Sequence, residues 1–295
     1  MTTQIAQSEA TEQDFAISEG QLQSEISRLV TVALAEDVGR GDATSRAIVP
    51  PTATCSATIV SRATGVVAGL EIAEAVFATL PGSLTITPLV RDGERVQADT
   101  RLVSLEGTAA TILTGERTAL NFLGHLSGIA TLTHAYVCST RGTNATILDT
   151  RKTTPGLRHV EKYAVRCGGA VNHRLGLDDA LMIKDNHLLL SGTLTEAVAQ
   201  ARERTQLEIT VEVEDMIELA EALGSQADRI LLDNMSVPMM REAVLVVNGR
   251  VPLEASGGVN LNTVAEIART GVDFISVGSL THSAPALDVS LEVTI

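Results

Sequence analysis

RILLDN (229–234), VPLEASGG (251–258) and FISVGS (274–279) are the segments that decide the fold. Each is a short apolar run that ends in polar or small residues and precedes a segment with helical spacing. Three earlier segments follow the same pattern: ATILDTRK (145–152), LMIKDN (181–186) and EITVEVED (208–215). Buried strands that alternate with helices are typical of parallel sheets. The sequence therefore predicts an α/β domain with six parallel strands.

The spacing of these segments indicates the architecture. The residues just past the apolar runs are Lys152, Lys184, Glu212, Asp233, Ser256 and Gly278, separated by 32, 28, 21, 23 and 22 residues. A closed eight-fold barrel needs roughly 200 residues or more, whereas about 140 are available here. We therefore expect an open, reduced, TIM-like α/β barrel, with a short seventh strand near AVNHRL (170–175). A doubly wound open sheet is the alternative, but no GxGxxG follows an early strand.

The flanking regions predict a second domain of mixed construction. An apolar stripe with helical spacing runs from Leu22 to Leu34, and short β-like runs separated by Gly and Asp turns occupy about 53–110. The last segment, ALDVSLEVTI (286–295), alternates apolar and polar residues as a half-buried antiparallel strand does. Residues 1–20 are polar and acidic without periodicity, which predicts a mobile tail.

Charge and composition exclude several classes of function. With 22 Lys and Arg against 36 Asp and Glu, the formal charge of −14 argues against a nucleic acid or an anionic membrane as partner. No apolar run approaches the roughly 18 residues of a membrane span. The first 20 residues contain no Lys or Arg and no central apolar stretch, so they do not resemble a secretory signal. The three cysteines lack CxxC spacing, which favours reduced thiols. We therefore expect a cytoplasmic protein.

Positive charge is concentrated in one part of this acidic chain. Residues 151–187 contain seven of the 22 Lys and Arg and three of the six histidines, but only four acids. Arg151, Lys152 and Lys184 follow predicted strand ends, where barrel active sites are built. Cations gathered in a cleft bind and concentrate an anionic small molecule. The region predicts such a substrate, with a solvated basic helix face as the alternative.

Carboxylates and small residues follow the later strands. Glu212 and Asp233 are expected to face the basic wall, where two carboxylates can hold Mg²⁺ against phosphate oxygens or stabilise a cationic sugar carbon. Taken singly, each is as often a helix cap. The loops SGG (256–258) and VGS (277–279) leave backbone N–H groups free for a phosphate, as the last two loops of α/β barrels do. A tight turn that needs glycine is the alternative.

Eight segments carry motifs that belong together: EDVGRGDATS (36–45), ERTALNFLGHLSGIAT (116–131), ILDTRKTTPGLR (147–158), EKYAVRCGGAVNHRLGLDDALMIKDNH (161–187), VEVED (211–215), LLDN (231–234), EASGGV (254–259) and ISVGSLTHSAPALDVSL (275–291). In this order and at this spacing they resemble the quinolinate phosphoribosyltransferase family. The resemblance covers the chain from about residue 25 to residue 295.

The resemblance implies a fold, a reaction and an assembly. The fold is an N-terminal α/β sandwich domain, here 21–127, joined by the C-terminal strand 286–295, together with an open α/β barrel catalytic domain, here 128–285. The reaction joins quinolinate to phosphoribosyl pyrophosphate and releases CO₂ and pyrophosphate, giving nicotinate mononucleotide for NAD biosynthesis. Mg²⁺ is the implied cofactor, and a homodimer with shared active sites is the implied assembly.

The same resemblance implies the site residues. The catalytic positions around the ribose are matched by Lys152, Glu212 and Asp233, of which Glu212 and Asp233 are the implied Mg²⁺ ligands. The quinolinate positions are matched by Arg117, Arg151, His173, Arg174 and Lys184, with Arg117 supplied by the partner subunit. The phosphate positions are matched by Ser256, Gly257, Gly258, Gly278 and His282.

Two rival hypotheses are an enzyme of this fold that acts on a monocarboxylate or another nitrogen acceptor, and a catalytically silent phosphate-ligand sensor.

Overall fold

The computed structural model describes residue 15 and residues 17–294. Most of the predicted tail therefore lies outside the described residues, as does Ile295. Where the tail is described, Phe15 is buried and the first helix already begins at Glu19, with a capping box at Ser18. The predicted tail thus extends too far, because the capping box starts the helix before residue 20.

The N-terminal part of the chain combines helices with a four-stranded sheet. Its helices are α1 (Glu19–Asp37), α2 (Ala43–Ile48), α3 (Leu70–Thr79) and α4 (Ala109–Ser139). Its strands are β1 (Thr54–Ser61), β2 (Gly65–Val66), β3 (Leu84–Pro88), β4 (Arg95–Val96) and β5 (Arg101–Thr108). The final strand, β12 (Val289–Thr294), pairs antiparallel with β1, so the larger sheet has the order β12-β1-β5-β3. Helices α3 and α4 pack together beside this sheet.

The second part of the chain alternates strands and helices. Its strands are β6 (Thr146–Leu148), β7 (Leu181–Ile183), β8 (Ile209–Val213), β9 (Arg229–Asp233), β10 (Leu253–Ser256) and β11 (Phe274–Ser276). Its helices are α5 (Arg158–Cys167), α6 (Asp185–Ser191), α7 (Leu194–Arg204), α8 (Met216–Gly224), α9 (Val237–Val247), α10 (Val264–Ala268) and α11 (Ser279–His282). The six predicted parallel strands are therefore all present.

Strand order distinguishes the two predicted architectures. The six parallel strands follow the order β6-β11-β10-β9-β8-β7, which is the cyclic order of a barrel that is open between β6 and β7. A doubly wound sheet would instead reverse its order at a switch point. The expected seventh strand is reduced to one parallel bridge, between Val171 and Leu148. The open, reduced barrel is confirmed, and the doubly wound alternative is wrong.

Helix α4 connects the two parts of the molecule. It continues through residues 127 and 128, where the sequence divides the two domains, so that boundary lies inside a single helix. Its Gly128 faces the returning chain, since a Cβ there would lie 2.1 Å from the carbonyl oxygen of Pro285. One turn earlier, the carbonyl oxygen of Gly124 accepts a hydrogen bond from Leu287 N–H (2.8 Å). Glycine at these positions lets the chain pass from the barrel back to β12.

The barrel interior is filled mainly by aliphatic side chains. Strands β8 to β10 are buried along most of their length, and the residues near their carboxyl ends, Glu212, Asp233 and Ser256, are partly exposed. Because the carboxyl ends of parallel strands lie at one edge of the sheet, these side chains share one mouth of the barrel.

Among the helices of the described residues, none combines the length and the apolar character that a membrane span needs.

Candidate active site

A cavity of about 730 Å³ opens at the carboxyl ends of the barrel strands. Every predicted site residue except Arg117 lines it: Arg151, Lys152, His173, Arg174, Lys184, Glu212, Asp233, Ser256, Gly257, Gly258, Gly278 and His282. These residues lie at or just past the carboxyl ends of six different strands or the Val171 bridge, so it is the barrel topology that brings them together. The cavity therefore gathers the basic, acidic and glycine-rich segments into one site.

The basic wall is formed by the loops after β6, after the Val171 bridge and after β7. Arg158 joins the first two loops by donating to the Oγ1 of Thr153 and to the carbonyl oxygen of Leu175, both at 3.0 Å. Arg174 is buried and donates from Nη1 to Ala180 O (2.8 Å). Its pKa is lowered, first by burial and then by the neighbouring Arg151. Arg151 itself has a buried Nε without a hydrogen-bond partner in the described structure. Arg151 and Arg174 therefore place two neighbouring positive charges in this wall.

A buried ion pair supports this wall from behind. Lys162, which is fully buried on α5, donates from Nζ to the Oδ1 of Asp149 (2.5 Å) and to the carbonyl oxygen of His173 (2.7 Å). Asp149 also accepts from His173 N–H (2.8 Å) and from the side-chain amide of Asn172 (2.6 Å). Burial lowers the pKa of Lys162 and raises that of Asp149. The pair holds the His173 main chain at both ends, a role that the sequence analysis missed.

The acidic side of the cavity is formed by Glu212 and Asp233. Glu212 is ion-paired with Lys184, the residue that follows the neighbouring strand. Asp233 accepts a hydrogen bond from the side-chain amide of Asn234 (2.8 Å). Within residues 15 and 17–294, no three His, Cys, Asp or Glu side chains form a metal-binding cluster. Two carboxylates fit Mg²⁺, which usually takes one or two of them and completes its shell with phosphates and water.

The two glycine loops bring the backbone close to the cavity. Gly257 and Gly258 have φ values of +90° and +62°, and a Cβ on Gly257 would lie 2.1 Å from the Oδ1 of Asn234. At the other loop, a Cβ on Gly278 would lie 3.0 Å from the Cδ of Lys152 and 3.3 Å from the Nε2 of His282. Backbone conformation therefore favours glycine at positions 257 and 258, and space also requires it at 257. Gly278 has an ordinary right-handed conformation, and there the space beside Lys152 and His282 is what favours glycine. The arrangement leaves main-chain groups open to a ligand.

A further residue of the cavity, Glu254, was not among the predicted site residues. Its side chain is fully buried, accepts a hydrogen bond from Ser276 and lies 3.3 Å from the Nη1 of Arg229. Burial raises the pKa of Glu254, but its contacts with His173, Arg229 and Ser276 outweigh burial and lower the pKa below the ordinary value. The sequence does contain a signal, because a single acid interrupts the apolar run VPLEAS (251–256).

Arg117 stands apart from the other predicted site residues. It lies on α4, its side chain is 66% exposed, and its nearest carboxylate is that of Glu116 at 3.9 Å. It does not line the cavity of its own chain. An exposed arginine outside the cavity of its own chain is compatible with the predicted role in a partner's site.

Comparison with known proteins identifies the family. The model of the quinolinate phosphoribosyl transferase N-terminal domain matches residues 42–127, and that of the C-terminal domain matches residues 129–292. The chain belongs to the quinolinate phosphoribosyltransferase family. This assignment confirms the predicted resemblance and the predicted fold class.

Individual members of this family are similar to this chain along most of their length. Quinolinate phosphoribosyltransferase [decarboxylating] 1b of Nicotiana tabacum is 42% identical over 286 residues, which are 90% of this chain and 81% of the relative. The probable nicotinate-nucleotide pyrophosphorylase [carboxylating] of Bacillus subtilis is 40% identical, with 92% of this chain and 94% of the relative covered. The solved nicotinate-nucleotide pyrophosphorylase of Francisella tularensis superposes with a TM-score of 0.91 at 39% identity, covering 95% of this chain and 99% of that one.

Proposed function

We propose that this chain transfers the phosphoribosyl group of phosphoribosyl pyrophosphate to quinolinate with release of CO₂, giving nicotinate mononucleotide and pyrophosphate. The observation that carries the proposal is the composition of one cavity, in which a basic wall faces two carboxylates and two glycine loops. An aromatic dicarboxylate and a phosphorylated sugar need such surfaces side by side. The names of the Nicotiana tabacum and Bacillus subtilis relatives support the same reaction.

The acceptor is assigned to the basic wall. Arg151, Arg174 and Lys184 would neutralise the two carboxylates of quinolinate, and His173 adds a hydrogen-bond donor. Guanidinium groups bind carboxylates in a bidentate fashion and therefore fix the plane of the ring. Three cations are more than one carboxylate needs, which disfavours a monocarboxylate acceptor.

The donor is assigned to the acidic side and the glycine loops. The pyridine nitrogen attacks the C1′ of the ribose as pyrophosphate leaves, and positive charge develops on the sugar. Lys152 would neutralise the leaving pyrophosphate, and Glu212 and Asp233 would stabilise the cationic ribose from fixed positions. Ser256 to Gly258, Gly278 and His282 would hold phosphate oxygens. Mg²⁺ bound by Glu212 and Asp233 would supply further positive charge to the phosphate oxygens.

Decarboxylation follows from the charge on the ring. Once the pyridine nitrogen carries the ribose it is cationic, so it stabilises the electron pair that remains when the bond between the ring and the adjacent carboxylate breaks. CO₂ leaves, and a proton from solvent takes its place on the ring carbon. The basic wall would then only need to hold the ring in orientation, and we assign no dedicated base to this step.

The proposed assembly is a homodimer in which Arg117 of each subunit completes the acceptor site of the other. The support is the exposed position of Arg117 outside its own cavity. A closed two-fold arrangement would allow each Arg117 to reach the opposite site. The cytoplasmic location stays a prediction from the sequence.

The test of the proposed function is incubation of the purified protein with Mg²⁺, phosphoribosyl pyrophosphate and either quinolinate or nicotinate. CO₂ and pyrophosphate release with quinolinate alone is the expected result. A reaction that omits phosphoribosyl pyrophosphate is the control and should release neither product. Pyrophosphate release with nicotinate would favour the monocarboxylate hypothesis, and no product with either acceptor would favour the sensor hypothesis.

A further inference from the structure

Glu254 is a buried anion on the cavity wall that the reaction outlined above does not use. It lies on β10, two residues before the first glycine loop, and no part of its side chain reaches solvent. Its pKa is well below the ordinary value because its donors outweigh the effect of burial. A negative charge in the wall of a cavity for anionic substrates opposes their binding unless neighbouring cations and donors compensate it.

Two of the three groups that surround Glu254 belong to the barrel itself. Ser276 at the end of β11 donates its hydroxyl to one carboxylate oxygen. Arg229 at the start of β9 lies 3.3 Å from the other oxygen, while its second nitrogen pairs with Glu208 at 3.1 Å. The Arg229 guanidinium also lies over the ring of Phe274, 4.2 Å from its centre. These contacts hold the carboxylate in one place.

The third neighbour of Glu254 is His173, whose ring is fixed by several contacts. Its Nδ1 accepts a hydrogen bond from Arg174 N–H (2.7 Å), so the proton of the neutral ring is on Nε2. Its main chain is held by Asp149 and Lys162. The Nε2 lies 3.4 Å from an oxygen of Glu254, yet it is buried and makes no hydrogen bond within the described structure. The ring therefore keeps one donor, on Nε2, that has no acceptor among the described residues.

We propose that Glu254 is a positioning residue, which holds the proton of His173 on Nε2 and orients that N–H group toward a carboxylate of the acceptor. An anion beside Nε2 favours the tautomer with the proton on that nitrogen, and the Arg174 N–H beside Nδ1 favours the same tautomer. The acceptor's charge is balanced by Arg151, Arg174 and Lys184. This inference rests on the proposed dicarboxylate acceptor.

A different role for Glu254 would be structural, as the partner of Arg229. Glu208 offers a matched control because it pairs with the same guanidinium from the other side and does not line the cavity. If Glu254 serves only Arg229, Glu254→Gln and Glu208→Gln should have similar effects. If Glu254 acts through His173, only Glu254→Gln should change acceptor binding.

A double-mutant cycle separates the two roles. His173→Asn keeps an acceptor for Arg174 N–H but removes the Nε2 donor. We expect Glu254→Gln and His173→Asn each to raise the dissociation constant of quinolinate about tenfold. The double variant should bind quinolinate no more weakly than His173→Asn alone, because both changes remove the same contact. Calorimetry with quinolinate alone avoids turnover, and the affinity for phosphoribosyl pyrophosphate should stay within about twofold in each variant.

Three experimental outcomes would overturn the inference. Additive losses in the double variant, unchanged or tighter quinolinate binding by Glu254→Gln, or an equal loss in Glu208→Gln would show that Glu254 does not act through His173. Failure of the unaltered protein to bind quinolinate would instead overturn the proposed function on which the inference rests.

A measurement on the unaltered protein covers the case in which Glu254→Gln does not fold. In protein labelled with ¹⁵N-histidine, the His173 ring should give the spectrum of the neutral form with the proton on Nε2 at neutral pH. His173→Asn identifies the signal by its disappearance. A ring protonated on Nδ1, or on both nitrogens, would contradict the inference whether or not any ligand binds.

Discussion

Lys184 and Glu212 form an ion pair across the ends of two neighbouring strands, although the proposed reaction assigns them to different substrates. Lys184 is assigned to a carboxylate of the acceptor, and Glu212 to the ribose and Mg²⁺. In the free protein each neutralises the other. A ligand carboxylate that binds Lys184 competes with Glu212 for the ammonium group, and this competition would couple the two substrate sites.

The first prediction is that an unreactive acceptor increases the affinity for the donor. Benzene-1,2-dicarboxylate has the two carboxylates of quinolinate but no ring nitrogen, so it can occupy Lys184 without reacting. We expect it to tighten the binding of phosphoribosyl pyrophosphate with Mg²⁺ about fivefold or more, because Glu212 becomes free. Calorimetric titrations with and without the dicarboxylate measure this coupling.

Lys184→Gln supplies the control for this coupling. It removes the ion pair, so the dicarboxylate should no longer change the donor affinity, and the donor should bind this variant more tightly than the unaltered free protein. Equal donor affinity of the unaltered protein with and without the dicarboxylate would show that the ion pair does not link the two sites.

The second prediction concerns Arg174. Arg174→Ala should weaken quinolinate binding by about 1.5–3 kcal/mol while leaving the affinity for phosphoribosyl pyrophosphate nearly unchanged, because a guanidinium contact to the carboxylate is lost. Separate titrations with each substrate measure both values. Equal losses for the two substrates would contradict the assignment of Arg174 to the acceptor.

Residues at strand ends could be predicted from sequence because chain order alone places them. Lys152, Lys184, Glu212 and Asp233 each follow an apolar run, and parallel strands carry their carboxyl ends to one edge. The recurrence of the pattern along the chain was enough to predict that these residues meet at one mouth of the barrel. Their individual roles came from the family resemblance and not from the pattern.

Residues that act from the interior could not be predicted in the same way. Lys162 reads as one more cation of a basic segment, and only the packing of α5 against the loop after β6 buries it against Asp149. Glu254 depends in the same manner on Arg229 and Ser276, which are 25 and 22 residues away in sequence. Such contacts arise from tertiary packing, so the single acid in VPLEAS (251–256) indicates a buried carboxylate but not the residues that it meets.

The third prediction concerns the buried pair of Lys162 and Asp149. Lys162→Met should lower the free energy of unfolding by about 3–5 kcal/mol, because it leaves the Asp149 carboxylate buried without its cation. Urea unfolding measures the loss. Arg241→Met is the matched control, since Arg241 pairs with Glu266 at the surface, 3.4 Å away, and should lose less than about 1 kcal/mol. Similar losses in the two variants would mean that the buried pair adds little.

The fourth prediction concerns Asp233. Asp233→Asn keeps the size of the side chain but removes its charge, so turnover should fall by at least about 10²-fold, or roughly 2.7 kcal/mol in the barrier. Steady-state rates at saturating substrates and Mg²⁺ measure the effect. Asp215→Asn is the control, because Asp215 follows the neighbouring strand but caps α8 by accepting from Ile217 and Glu218 N–H. Unchanged turnover in Asp233→Asn would show that the charge of Asp233 has no part in the reaction.

The last prediction concerns Arg117 and the proposed dimer. Arg117→Ala and Lys152→Ala should each be inactive alone, because every site then lacks one residue. After equimolar mixing with exchange of subunits, half of the dimers contain one chain of each kind, and one of the two sites in such a dimer has both residues intact. Activity should therefore return to about a quarter of the unaltered level.

Mixing Glu212→Gln with Lys152→Ala is the matched control for this experiment. Both residues line the cavity of one chain, so every site of such a mixed dimer keeps one defect and activity should stay absent. Exchange of subunits is verified independently, with chains of different mass. If exchange is complete and the Arg117→Ala and Lys152→Ala mixture stays inactive, Arg117 does not reach the site of its neighbour. Arg117 then acts within its own subunit or has no part in binding the acceptor.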